Sequence, residues 1–440
     1  TYGITRMKAV EGFGIYEAKK NEAIVLDVFA ANKVSNNARQ VFAKVPGLNI
    51  WESDFAGLQL DIAARGLGPS RKANFNTRHN GFDMSADALG YPESYYMPAI
   101  QAVDRIEVVR GAASLQYGTQ FGGMLNYKLK EASNKPFEMN LEQSVGSFGL
   151  FNSFVSVGGR KGKVDYYAYY QNRQGEGWRP NSHFDAQTGF ARLGFQVSNR
   201  LTLGFEYSYL NYVAQQPGGL TDDEFEGGLL AVSNRSRNWF RVNWNLMALT
   251  IDYQFSDKTK LNIRNFGLIS TRDALGNLQQ IGVPDNPNAN RTLITDDFQN
   301  VGSEARLLHN YNLNDTTATL VVGLRYYDGL TQRKQGDASA SSEADFYLLN
   351  PNDPEEFSYL FPSNNYSIFA ENLLYLTPKL SLTAGIRVEY IQTDAEGQWR
   401  LNRFDFAGNL VSSTMKQDKS SNRRAFPLLG LGTSYYLNPN

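Results

Sequence analysis

A run of cationic, amide and aromatic side chains between residues 67 and 82 is the part of this 440-residue chain best suited to bind a charged ligand. Its segment 69–80 reads PSRKANFNTRHN and brings together Arg71, Lys72, Arg78 and His79. Lysine and arginine suit an anion, and a guanidinium group can hold a carboxylate through two parallel hydrogen bonds. We therefore predict that these four side chains contact an anionic ligand. For His79 we expect a hydrogen-bonding role, because the three histidines are too far apart in sequence to suggest a metal site.

A second set of candidate ligand contacts lies further along the chain, in what reads as a long polar loop over 214–238 and at the end of a neighbouring strand. The alternative is that these are solvated loop charges. The set consists of Gln216, Arg235, Arg237 and Arg272.

The overall composition narrows the class of protein. The chain has 43 Lys and Arg against 44 Asp and Glu, so it lacks the basic excess of a nucleic-acid-binding protein. It has no cysteine, which excludes disulfide scaffolds, thiolate metal sites and thiol catalysis. No nucleophile elbow or phosphate-binding loop is present, and the segment Gly12–Glu17 lacks the third glycine of a dinucleotide fingerprint. We predict that the protein is not an enzyme and carries no metal or cofactor of its own.

From about residue 134 onward the sequence alternates apolar and polar residues in segments of about ten. The segment LTLGFEYSY at 201–209 is one example, with an apolar or aromatic residue at every odd position. About twelve such segments follow one another, joined alternately by short turns and by long polar connections, of which 329–362 and 393–424 are the longest. This pattern is typical of an outer-membrane β-barrel, whose strands face lipid on one side and a wet lumen on the other. A soluble β-sandwich or propeller is the alternative, since both also alternate with a period of two.

Residues 1–133 have a different residue pattern, with short strand-like runs, one helix-like segment and many glycines. We predict a compact mixed α/β domain over 1–133, followed by an antiparallel barrel domain over 134–440.

Three segments of the first domain carry specific sequence motifs, and not only a pattern of apolar and polar residues. They read VPGLNI at 45–50, IAARGLG at 62–68, and IEVVRGAASLQYGTQFGGMLNY at 106–127. In this order they resemble the plug of TonB-dependent outer-membrane transporters. The segments QPGGLT at 216–221 and FPLLGLG at 426–432, with 80–96, look like the ferric-citrate-transporter branch of that family.

The resemblance implies a fold and a set of contacts. It implies a plug inside the lumen of a barrel that has 22 strands when complete. Plug arginines in such proteins pair with barrel glutamates and lock the plug in place. For this chain the candidates are Arg65 and Arg110 in the plug, and Glu304, Glu371 and Glu389 at strand positions that we expect to face the lumen. An ion pair inside the plug, such as Arg110 with Glu107, is the alternative.

The resemblance also implies a function. It implies active import of a ferric chelate, with iron citrate or a carboxylate siderophore favoured, across the outer membrane of a Gram-negative bacterium. The energy would come from TonB with ExbB and ExbD, and the lipid and lipopolysaccharide of the membrane would surround the barrel. Uptake of haem, cobalamin or a glycan is the alternative within the class, and a passive porin or an adhesin is the alternative outside it. Because about twelve strands and no TonB box are found, we expect this chain to be a piece of such a transporter.

Overall fold

The computed structural model describes the chain over 3–28, 38–43, 45–52, 54–55, 57, 60–64, 66–68, 75–87, 92–110, 115–118, 122–313 and 316–437. Its architecture is a small mixed domain followed by one large antiparallel sheet. Among these residues no helix is long and apolar enough to cross a bilayer.

Where it is described, the N-terminal domain, the plug, consists of twelve short strands, one short helix α1 (Ala38–Phe42) and a 3₁₀ turn at Ile100–Ala102. Six of the strands form its main sheet in the order β1-β4-β11-β12-β7-β8. The strands are β1 (Ile4–Thr5), β2 (Val10–Glu11), β3 (Gly14–Ile15), β4 (Asn21–Val25), β5 (Leu48–Glu52), β6 (Leu60–Ala64), β7 (Phe75–His79), β8 (Phe82–Asp83), β9 (Ala86–Asp87), β10 (Pro92–Glu93), β11 (Val103–Val109) and β12 (Gly123–Leu129).

The large sheet, the barrel sheet, has the twelve strands that the alternation predicts, each paired antiparallel with the next along the chain. In the described residues the sheet does not close on itself, and β13 and β24 are its two edges. The strands are β13 (Glu138–Val145), β14 (Phe151–Lys161), β15 (Val164–Gly175), β16 (Phe184–Gln196), β17 (Leu201–Gln215), β18 (Trp239–Gln254), β19 (Thr259–Gly276), β20 (Arg291–Leu313), β21 (Thr316–Ala338), β22 (Phe357–Thr377), β23 (Leu380–Phe404) and β24 (Leu410–Tyr435). A second short helix, α2 (Asp222–Glu226), lies in the connection between β17 and β18.

The alternation places the two kinds of side chain on opposite faces of the barrel sheet. On β17, Phe205 is 46% exposed, while its neighbour Glu206 is 8% exposed and faces the plug. Large apolar residues remain exposed on the outer face, as a surface that meets lipid requires. The inner face and the plug share one hydrophobic core, in which Phe82 of the plug packs against Phe266 of β19.

Two of the predicted long connections are wrong, because the strands run further than the apolar alternation does. Strands β23 and β24 remain paired through the segment predicted as a loop over 393–424, and only residues 405–409 separate them. The connection predicted at 329–362 shrinks in the same way to 339–356. Side chains of β24 over 411–424 are almost all exposed, so this part of the ladder has two polar faces and no hydrophobic period to reveal it.

The boundary predicted at residue 133 falls between the end of β12 at Leu129 and the start of β13 at Glu138. It stays a prediction, since pairing alone does not define a domain limit.

Candidate functional site

The first contact between plug and barrel is an ion pair between Arg78 of β7 and Glu304 of β20. Arg78 Nη2 lies 2.8 Å from Glu304 Oε1, and Nη1 lies 2.9 Å from Oε2, which is the two-pronged geometry of a guanidinium on a carboxylate. The Arg78 residue has no exposed surface, and Glu304 is 4% exposed. Arg78 Nε also donates to the Asn76 side chain, which fixes the orientation of the guanidinium group. An ion pair this deeply buried joins the two domains firmly, since breaking it leaves an uncompensated charge.

Glu304 also binds two arginines of the barrel wall. Arg325 Nη1 donates to Glu304 Oε1 at 2.5 Å, and Arg306 Nη2 lies 3.5 Å from Oε2. Arg325 in turn donates to Asp83 of the plug at 2.9 Å, so that it forms a second link between the domains. Glu304 is therefore the centre of a buried network that spans both domains.

A second ion pair connects the plug to β22, two strands further along the barrel sheet than β20. Lys19 Nζ lies 2.5 Å from Glu371 Oε1 of β22, and both side chains are almost completely buried. Next to it, the Glu17 carboxylate accepts hydrogen bonds from Ser381 Oγ at 2.9 Å and from the Tyr436 hydroxyl at 2.7 Å. Burial lowers the pKa of Lys19, while Glu371 acts in the opposite direction.

The turn between β7 and β8 presents a third set of contacts. Asn80 and Gly81 both have positive φ, at 47° and 86°, as the central residues of a type I′ hairpin turn do. Asn80 Nδ2 donates to Glu206 of β17 at 2.9 Å, and the Gly81 carbonyl accepts from Arg264 of β19 at 3.1 Å. The φ of 86° favours glycine at position 81, and a Cβ there would lie 2.4 Å from Arg264 Nη1, so the Arg264 side chain would have to shift.

The structure places the predicted lock residues in different environments. Glu304 and Glu371 meet plug cations, whereas Glu389 pairs with Arg387 of its own strand β23. Arg110 lies 2.8 Å from Glu22 and donates to the Pro46 carbonyl, so its ion pair is inside the plug, as in the alternative, but with Glu22 rather than Glu107. Arg65 lies outside the described residues.

His79 follows Arg78 on β7 and is enclosed by aromatic rings. The ring centroids of Phe82, Tyr96 and Phe190 lie 5.3–5.7 Å from that of His79. Neither ring nitrogen has a hydrogen-bond partner in the described part of the chain, although Nε2 lies 3.8 Å from Glu206. Burial, with a smaller contribution from Lys128, lowers the pKa of His79 to about 3. The imidazole is therefore neutral at neutral pH, and the hydrogen-bonding role predicted for it is not seen among the described residues, because aromatic rings surround it.

We expect the plug to become less stable as the pH is lowered, because His79 is buried in its neutral form. Its pKa in the unfolded chain is about 6.5, so the unfolded state binds more protons than the folded state between about pH 6.5 and about pH 3. Stability from this residue is present above about pH 6.5 and decreases below it, by at most about 1.4 kcal/mol per pH unit. Hydrogen exchange of β7 and β12 at pH 7.5 and pH 5 measures the effect, and His79→Phe should reduce the difference. An equal pH dependence in His79→Phe would show that other groups cause it.

The two loop arginines that we predicted to bind ligand are buried among loop carbonyls. Arg235 donates to the carbonyls of Asn277, Gln279 and Gln280 at 2.8–3.1 Å. Arg237 binds Asp285 with both Nε and Nη2, at 2.9 and 2.7 Å. Arg237 also donates to carbonyls of the connections 277–290 and 339–356, namely those of Asn286, Ala289 and Ala340. In this conformation both guanidinium groups hold three long connections together.

The remaining predicted ligand contacts are distributed around the upper part of the plug. Arg272 of β19 lies 2.5 Å from Asp296 and 3.8 Å from Glu93 of the plug, with its guanidinium over the Tyr95 ring. The Gln216 backbone N–H donates to the Asn238 carbonyl, at the start of the same loop that carries Arg235. Arg71 and Lys72 lie outside the described residues. The ligand contacts as a set stay a prediction.

Several residues of the network carried no signal in the sequence. Lys19, Arg306 and Arg325 are single charges in segments of ordinary composition, and only their burial singles them out. Arg325 and Glu304 could have been paired from the strand register, because they are direct cross-strand partners on the inner face. In the described residues, no group of three or more His, Asp or Glu side chains is arranged to hold a metal ion.

Comparison with known proteins agrees with this architecture. The family model described as TonB-dependent Receptor Plug Domain matches residues 24–124, and the one described as TonB dependent receptor-like, beta-barrel matches residues 189–440. The crystal structure of the ferric citrate transporter FecA in its unliganded form is similar, with a TM-score of 0.76 and 19% identity over 96% of this chain and 61% of that one. The ferric yersiniabactin uptake receptor FyuA from Yersinia pestis has a TM-score of 0.71 and 14% identity over 96% of this chain and 63% of that one.

A curated relative is more similar in sequence over a shorter stretch. A ferric enterobactin receptor of Pseudomonas aeruginosa is 27% identical over 146 residues, which are 30% of this chain and 18% of that protein. The chain thus spans less than two thirds of the length of the relatives that it matches. At these identities the solved structures show the fold.

Proposed function

The chain belongs to the TonB-dependent receptor family, and from this premise we propose that the protein imports a ferric chelate across the bacterial outer membrane. The observation that carries the proposal is the plug seated against the inner face of the barrel sheet and held by Arg78, Lys19 and Asn80. A plug held in this way inside a complete barrel would oppose passive diffusion, so we favour an energised transporter over a porin. Opening requires work on the plug, which we assign to TonB with ExbB and ExbD.

We further propose that the chelate is anionic, as iron citrate and carboxylate siderophores are. The relatives support iron chelates as a class, since they are a ferric citrate transporter, a ferric yersiniabactin receptor and a ferric enterobactin receptor. The cations that we assign to chelate binding are Arg71, Lys72 and Arg272. Iron enters this scheme as cargo, already coordinated by its chelator. The same proposal places the outer face of the barrel sheet in lipid and lipopolysaccharide.

The test is uptake of radiolabelled iron by cells that lack their own chelate receptors and express the full-length protein. We expect uptake of ferric citrate that disappears when the tonB gene is deleted, with ferric enterobactin and haem as the compared substrates. Uptake that persists without TonB would favour a porin, and uptake of haem or enterobactin alone would contradict an anionic carboxylate chelate.

A further inference from the structure

A polar cavity of about 290 Å³ lies between the plug and the barrel wall, on the side of the short turns. One wall is formed by Arg264 of β19 and Arg306 of β20, and the other by the plug strands β11 and β12 with the hairpin β2–β3. The tip of that hairpin is fixed at the rim, where Lys260 Nζ donates to the Gly12 carbonyl at 2.7 Å. Lys260 is the second residue of β19 after the turn 255–258, which locates the cavity near the lower end of the lumen.

The barrel side of this cavity carries a cation without a carboxylate. Among the described residues no carboxylate oxygen lies within 4.0 Å of the Arg264 guanidinium, which donates a hydrogen bond to the Gly81 carbonyl at 3.1 Å. Arg306 donates to the Gln116 carbonyl at 3.1 Å and lies over the Tyr117 ring. Its one ion pair among the described residues is a 3.5 Å contact with Glu304, which already binds Arg78 and Arg325 at 2.5–2.9 Å.

The charges around Glu304 do not balance. Arg264 is the cross-strand partner of Glu304, and it shares the Gly81 carbonyl with Arg78. The cluster therefore has four guanidinium groups and two carboxylates, a local excess of two positive charges. Its members are Arg78, Arg264, Arg306, Arg325, Glu304 and Asp83.

The acidic residues on the plug side of the cavity compensate for only part of this excess, because Glu11 and Glu107 share the single cation Arg105 and Glu131 is paired with Lys128. Glu11 and Glu107 lie 2.5 and 2.8 Å from Arg105, and Glu131 lies 3.7 Å from Lys128. Excess charge in a lumen of reduced dielectric is costly unless a counter-ion neutralises it. The cavity is large enough for a small anion and has guanidinium groups on its wall.

We propose that this cavity is an anion-binding site, in which a carboxylate-bearing molecule of the size of citrate binds to Arg264 and Arg306. This inference rests on the proposed function: the cavity is a second binding site for the anionic chelate or its chelator. The ligand reaches it, below the Arg78–Glu304 pair, when the plug moves. Planar guanidinium groups match carboxylates in geometry, which makes an oxygen anion the preferred class of ligand.

The binding test uses the purified full-length receptor and iron-free citrate as the probe, titrated by calorimetry. We expect Arg264→Gln to abolish one citrate per receptor or weaken it at least tenfold, and Arg264→Lys, which keeps the charge, to retain binding within about threefold. Arg241→Gln, away from the cavity, should bind as the wild type does. Equal citrate binding by Arg264→Gln and the wild type would overturn the proposal. The absence of citrate binding to the wild type at concentrations up to about 10 mM would also overturn it, since a specific site should bind more tightly than that.

A transport measurement separates this site from the outer one. In Arg264→Gln we expect chelate binding to de-energised cells to stay within about twofold of wild type, while the uptake rate at saturating chelate falls about tenfold; Arg264→Lys should restore it. An unchanged uptake rate would overturn the role in transport. If the wild type imports no chelate, the proposed function fails, whereas the citrate titration still decides whether the cavity binds an anion.

Discussion

Replacing Glu304 by glutamine is expected to release the plug from the barrel wall. The substitution leaves Arg78, Arg306 and Arg325 without their common carboxylate in a buried site. Removing one partner of a buried ion pair costs about 3–5 kcal/mol, because the remaining charge is no longer compensated. The plug strands should then exchange their amide hydrogens faster, and liposomes that contain the full-length receptor should become permeable to sugars.

Glu389→Gln is the matched control for this experiment. It makes the same chemical change at another buried barrel glutamate, but Glu389 pairs with Arg387 of its own strand and makes no hydrogen bond or ion pair with the described residues of the plug. We expect no sugar leak from Glu389→Gln.

A double-mutant cycle of Arg78→Met with Glu304→Gln isolates the contribution of the Arg78–Glu304 pair, since residues in direct contact show coupling of about 0.5–3 kcal/mol. Strictly additive effects of Arg78→Met and Glu304→Gln would contradict the assignment of this pair as the lock.

The second large effect is expected at Lys19 and Glu371. Lys19→Met leaves the Glu371 carboxylate buried without its cation, and Glu371→Met leaves the lysine in the same position. Each single substitution should destabilise the seated plug by about 3–5 kcal/mol. The double variant should recover most of this loss, because replacement of a buried ion pair by apolar groups is often neutral or stabilising.

The measurement is again hydrogen exchange of the plug together with sugar leak, now compared among the two single variants and the double variant. Lys258→Met is the control, because Lys258 is an exposed lysine in a short turn of the barrel. If the double variant leaks as much as the two single variants combined, the two side chains act independently, and the pair does not hold the plug.

The fold could be predicted from the sequence because it depends on regular patterns. Alternation over ten residues, as at 201–209, specifies which side chains face lipid, and twelve such segments give the twelve strands observed. Where both faces of a strand are wet, as on β24 over 411–424, the pattern carries no information and the prediction of a loop was wrong.

The site was less predictable, because its residues are brought together by tertiary contacts. Arg78 and His79 are adjacent in sequence and looked equally suited to a ligand, yet β7 seats Arg78 on Glu304 and buries His79 among aromatic rings. Arg235 and Arg237 look like ligand contacts in a polar loop, and nothing local reveals that the carbonyls of other connections will surround them. Glu304 and Glu371 were predictable as inward-facing carboxylates from strand phase, but their plug partners were not.

The order of strands in the plug sheet sets a mechanical sequence for its release. Strand β1 and the strands β7 and β8 lie at opposite edges of the same sheet, with β4, β11 and β12 between them. A pull on the N-terminal end therefore first loads β1, which is only two residues long, and then the segment that carries Lys19. The load reaches Arg78 only after it has crossed three further strands. On the proposed function, in which TonB pulls on the plug, we therefore expect the Lys19–Glu371 contact to break before the Arg78–Glu304 network.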